Sequence, residues 1–188
     1  SIQIAGTGTS AGIMQSYSSV NDSCTVEKNT IANISLTNST GTPTFSALKM
    51  TGGTVRMNNI FNIGSSIAAL QLIIYGINNT DGVIANEFSN NVISLNGGVA
   101  NDPSLYGFYE SSTKGTTGFY YNSINLYGST SGLNPSYAFH RSVDNTHVSN
   151  NNILVNTRTG GLGIHYAIYS LSSSGLTSNN NNLFVLGS

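Results

Sequence analysis

Of the 188 residues only 13 carry a formal charge, and any chemistry must draw on these, on three histidines and on one cysteine. The acids are Asp22, Glu27, Asp81, Glu87, Asp102, Glu110 and Asp144, set against six Lys and Arg residues. Cleavage of a polysaccharide needs carboxylates paired as acid and base, or a calcium site of several carboxylates with a basic residue beside it. His140, His147 and His165 raise the further options of a metal ligand or a general base. Cys24 stands alone, which excludes an internal disulfide and disfavours a cysteine-based metal site. Whether any of these groups meet depends on how the backbone returns on itself.

The backbone does return, on a fixed period. Residues 118–128, GFYYNSINLYG, centre on an Asn-x-aliphatic triplet at Asn122, and the same triplet starts at Asn29, Asn58, Asn91, Asn151 and Asn181. Successive intervals are 29, 33, 31, 29 and 30 residues. Asparagine is abundant, 26 residues in all, so a second marker is needed. Small-apolar pairs supply it: Ala47-Leu48, Gly76-Ile77, Gly107-Phe108, Ala138-Phe139 and Ala167-Ile168 follow the first five triplets by 16 to 18 residues. Gly12-Ile13 precedes them. Two rows keeping step identify a repeat protein.

The residues between the markers decide its class. Short runs of Ile, Val, Tyr and Phe alternate with Gly, Asn, Ser and Thr, and charged residues make up 7% of the chain. This is strand and turn composition, without the spacing or residue types of helical repeats. Three short strands fit each repeat, which predicts an all-β parallel β-helix of about six rungs. At a strand spacing of about 4.8 Å the rod would be roughly 29 Å long. The repeated asparagines, Asn29, Asn58, Asn91, Asn122, Asn151 and Asn181, are expected to take the left-handed conformation at a corner and to hydrogen-bond to one another as a ladder.

Placed on this frame, the charges separate. Glu27 and Arg56 share a row in adjacent rungs, as do Glu110 and Arg141, and each pair is expected to form an ion pair. No two acids share a row in adjacent rungs, and Asp22 and Asp144 share one only across four rungs. Loops could still gather Asp102, Glu110 and Lys114 at one mouth. The histidines fall on different rows and are expected at turns or on the surface, with no metal site. Tyr75, Tyr106, Tyr137 and Tyr166 have the strand parity of the core and are expected inside. Lys49, Tyr109, His140 and Tyr169 have the opposite parity, so Tyr109, His140 and Tyr169 form an outward row able to contact a glycan. Long loops recur on one corner, at residues 97–104, 128–135 and 160–163, a usual place for a solenoid's binding face. Four glycosylation sequons, at Asn21, Asn33, Asn38 and Asn78, are no more than this composition yields by chance.

A net charge of -1 leaves no basic stripe for nucleic acid. The longest apolar run, 67–77, is interrupted by Gln71 and too short to span a membrane. Residues 1–188 read as one β-helix segment. Neither end carries the polar cap a solenoid needs, so flanking domains of a longer chain or end-to-end self-association are expected.

Residues 120–128, 136–142, 150–160 and 165–170 resemble the β-helix regions of large secreted or surface-attached proteins of Bacteroidetes exported by the type IX route. The resemblance runs from about Phe119 to Phe184 and is thinner before that. It implies a right-handed parallel β-helix with pectin lyase-like architecture, in an extracellular or cell-surface location, and it implies no activity. The reading that follows is a non-enzymatic structural or adhesion module without cofactors. A carbohydrate-binding β-helix is the first alternative, and a polysaccharide lyase or glycoside hydrolase the second.

Overall fold

The computed structural model describes residues 2–4, 9–16, 24–36, 42–65, 72–80, 85–97 and 102–186. Every regular element among them is a β-strand, three to a turn of the coil. The first turn holds β1 (Ile2–Ile4), β2 (Thr9–Met14) and β3 (Thr25–Glu27), and the second β4 (Thr30–Leu36), β5 (Thr44–Met50) and β6 (Gly53–Arg56). The third holds β7 (Asn59–Ser65), β8 (Ile73–Asn79) and β9 (Asn86–Ser89), and the fourth β10 (Val92–Asn96), β11 (Ser104–Glu110) and β12 (Thr116–Tyr120). The fifth holds β13 (Ser123–Tyr127), β14 (Ser136–Arg141) and β15 (Thr146–Asn150). The sixth holds β16 (Ile153–Asn156), β17 (His165–Ser170) and β18 (Leu176–Asn179), and β19 (Asn182–Val185) follows.

Each strand pairs in parallel with its equivalents one turn before and after. Three sheets result: the first strands of each turn and β19 form sheet A, the second strands sheet B and the third sheet C. The molecule is a parallel β-solenoid. Its core includes one inward file of apolar side chains from each sheet. Ile60, Ile93, Ile124 and Leu154 stack in sheet A, Leu48, Ile77, Phe108 and Phe139 in sheet B, and Val55, Phe88 and Phe119 in sheet C. All are essentially inaccessible to solvent, so each rung is held by contacts above and below.

The corner from sheet C to sheet A holds an asparagine ladder, and its composition corrects one residue. The side-chain oxygen of Asn58 accepts from both the N–H and the Nδ2 of Asn29, and Asn91, Asn122, Asn152 and Asn181 repeat the arrangement upward at 2.8–3.1 Å. The fifth member is Asn152, not Asn151, because Ser123 pairs with Ile153 and so Asn122 lies under Asn152. Asn151 occupies the preceding row, with Lys28, Met57, Asn90, Tyr121 and Asn180, and these six are the residues of this corner in the left-handed conformation, at φ 53–58°. The ladder asparagine therefore does not itself turn the corner. It spans it, donating from Nδ2 to a carbonyl of the rung below, as in Asn58 to Val26 O and Asn122 to Phe88 O, both at 2.9 Å, while residues as different as Met57 and Tyr121 take the strained position.

The first repeats carry one extra residue each. Asn33 and Asn62 bulge from β4 and β7 with φ 59° and 53°, joined by a side-chain hydrogen bond at 2.6 Å. Ile31 consequently keeps register with Ile60.

Candidate functional site

Sheet B sets its tyrosines by a break in alternation. Along β11, Leu105 points in, Tyr106 out, Gly107 and Phe108 both in, Tyr109 out and Glu110 in. The strand bends at the small residue, and two consecutive positions face the core there. Space at the bend is minimal: a Cβ on Gly107 would lie 2.6 Å from the Ala138 carbonyl oxygen. Only Gly or Ala occupies that row. The break also corrects the expectation that Tyr75, Tyr106, Tyr137 and Tyr166 lie inside, since they share the outer face with Tyr109, His140 and Tyr169.

The seven rings form two interlocked columns. Tyr75, Tyr106, Tyr137 and Tyr166 stack with centroids 4.9, 5.2 and 6.0 Å apart, and Tyr109, His140 and Tyr169 at 5.1 and 4.9 Å. Between columns the contacts are edge to face, as for Tyr106 with Tyr109 and His140, or tilted, as for Tyr75 with Tyr109 and Tyr166 with Tyr169. Burial among the rings pushes the Tyr75 phenol up to about 12, raises Tyr106 further and Tyr137 as well, and pushes His140 down to about 4. At neutral pH the strip is uncharged. Tyr106, Tyr137 and His140 have stacked neighbours above and below, so the strip offers a ligand mainly ring edges and hydroxyl groups.

Several of the remaining ionisable groups are spent on bonds between rungs. Asp102 and Arg158, two rungs apart, meet at 3.0 Å on the corner from sheet A to sheet B. Thr130 Oγ1 also donates to Asp102, and Asn134 Nδ2 does so at 3.2 Å. Arg158, with no exposed surface, also donates to Pro103 O at 2.6 Å, and burial holds its pKa below the usual arginine value. Leu162 N donates to Gly132 O and Thr130 N to Thr159 O, both at 2.8 Å, so the described loops of this corner are bonded to one another. Sequence reasoning missed Arg158. The available signal was its position at the same corner as Asp102, the one acid there.

Glu110 and Arg141 are in register as expected but form no direct pair. Glu110 accepts from Asn79 Nδ2 at 3.0 Å and Ser112 N at 2.9 Å, while Arg141 turns to Asn145, Ser172 O and Ser174 O. Both are fully buried, so Glu110 cannot join Asp102 and Lys114 at a mouth. Glu27 and Arg56 do pair, at 2.6 Å on the surface, and this hydrogen bond holds the Glu27 carboxyl below its usual range.

Two histidines lie in the interior instead of at the surface. His147 sits among Phe108, Phe119 and Phe139, 3.6 Å from Glu110. His165 Nδ1 is 2.8 Å from Ser136 Oγ, superficially a nucleophile and its base. Ser136 is wholly buried and also bonded to Asn156, so no reacting carbon can approach it. Among the described residues no three His, Cys, Asp or Glu side chains group together as a metal site. Asp22, Asp81 and the sequons at Asn21 and Asn38 lie outside the described residues, while Asn33 is exposed and Asn78 buried. Compared with protein-family models, curated proteins and solved structures, the chain finds no match.

Proposed function

We propose that this chain is a non-enzymatic rod, a spacer or adhesion module of an extracellular bacterial protein akin to the Bacteroidetes β-helix regions it resembles. The carrying observation is the asparagine ladder, continuous from Asn29 to Asn181 and largely buried. A ladder that binds every rung to the next favours stiffness over motion. The buried charges serve the same end, since Arg141 and Arg158 direct their donors at carbonyls and side chains of neighbouring turns. The test is incubation with a panel of plant, algal and bacterial polysaccharides, scoring retention and new chain ends. Retention alone supports adhesion, absence of both supports a spacer, and new chain ends refute the reading.

A second reading is favoured by the sheet B strip. Tyr109, His140 and Tyr169 present an uncharged, partly exposed aromatic surface running along the rod. Such a row suits hydroxyl-rich polysaccharide, met through phenol hydroxyls and ring edges. Replacing all three by alanine should abolish glycan retention, and unchanged retention would remove this reading.

A further inference from the structure

The outer face of sheet C holds a different and smaller feature. Gly118 pairs with Glu87 below it, and Tyr120, two residues on along β12, points to the same side. Because Gly118 has no side chain, the Tyr120 ring leans back over it: a Cβ there would touch ring atoms Cε2 and Cζ and lie 2.8 Å from the hydroxyl oxygen. The ring is thereby carried from the row of Ser89 into the row of Glu87, about one strand spacing away. Glu87 is exposed, and one carboxylate oxygen is fixed by Ser89 Oγ at 2.9 Å. No Lys or Arg among the described residues pairs with it. Thr54 and Thr116 complete an open cleft of about 360 Å³ across three rungs.

From this juxtaposition we infer that the sheet C cleft binds an amino sugar, with the protonated amine on Glu87 and the sugar's C–H face against Tyr120. An oriented carboxylate without an ion-pair partner repels uronic acids and attracts a cation, and Arg56, on the same face one rung below in register with Ser89, is held by Glu27. A half-exposed ring beside it adds an apolar platform, and the threonines can meet sugar hydroxyls. The site is separate from the sheet B strip and does not depend on it.

The probe is a glucosamine trimer, with the N-acetylglucosamine trimer as its uncharged counterpart, titrated by NMR at mildly acidic pH where the amine is charged. The wild-type chain should prefer the charged trimer by roughly fivefold, the scale of one exposed ion pair. Glu87→Gln should erase that preference. Gly118→Ala, which displaces the ring without deleting it, should weaken both trimers about fivefold, as should Tyr120→Ala. The triple alanine variant of Tyr109, His140 and Tyr169 should bind as wild type does, and unchanged thermal melting will show that each variant is folded. Absence of saturable binding at millimolar trimer, or a preference that survives Glu87→Gln, would overturn the assignment. So would loss of binding in the sheet B variant alone.

Discussion

Adjacent asparagines of identical chemistry give the sharpest test of how the corner is built. Asn152 accepts from Asn122 N at 2.8 Å and Asn122 Nδ2 at 3.1 Å, and donates to Phe119 O at 2.9 Å, all in the interior. Asn152→Ala therefore strands an N–H, one amide proton and one carbonyl. Each unsatisfied buried group costs about 1–3 kcal/mol, and water following the truncated side chain recovers part of this. A loss of about 3–4 kcal/mol is expected. Asn151 is exposed at φ 58°, and its side chain has no role in the ladder. Asn151→Ala should cost about 1 kcal/mol, the strain of a Cβ in the left-handed region, and Asn151→Gly should be neutral or slightly stabilising. Urea unfolding followed by circular dichroism reads both, with unchanged slope showing that the same surface is exposed. If Asn152→Ala fell within 1 kcal/mol of wild type, or cost less than Asn151→Ala, the ladder would not be what fixes the corner.

Arg158→Met should destabilise by about 3 kcal/mol or more, because Asp102 and the Pro103 carbonyl lose a buried cationic partner; urea unfolding measures it. His140 resists protonation to about 4 while the unfolded chain accepts the proton near 6.5, so stability should fall as pH drops through that window. The loss is about 1–2 kcal/mol once the ring's exposed part is discounted. His140→Tyr, matching its neighbours Tyr109 and Tyr169, should flatten the profile and leave the residual slope of His165, whose pKa is also held down. In alkaline titration by ultraviolet difference absorbance, Tyr75, Tyr106 and Tyr137 should ionise above the range of free tyrosine. Stability should fall as pH rises above about 10, where unfolded phenols ionise first.

The solenoid was legible because its markers are chemical necessities repeated in every rung: the amide that spans the corner and the small residue at the sheet B bend. The fifth ladder position was not, since Asn150, Asn151 and Asn152 are identical letters and only pairing with β13 distinguishes them. The tyrosine row was misplaced because strict alternation was applied across a bend that consumes two inward positions. His147 and Glu110 gave no sign of burial in their types, which elsewhere mean surface. Their burial depends on partners a full turn away, such as Asn79 for Glu110, and on the gap where Ser149 replaces the Phe119 of the rung below. The cleft on sheet C escaped notice because Gly118 and Tyr120 read as ordinary strand filling until Glu87 is brought alongside.

The asparagine ladder has one more property. At every step the lower residue gives its hydrogens and the upper one receives them, from Asn29 to Asn181 without reversal. The amide dipoles therefore add head to tail, and the column is a vector. A rung stacked above meets an amide already oriented to donate to it, so every step of the column is bonded in one sense only. The rod thus has a chemical direction, with amide hydrogens facing one end and amide oxygens the other, written by the same atoms that hold its rungs together.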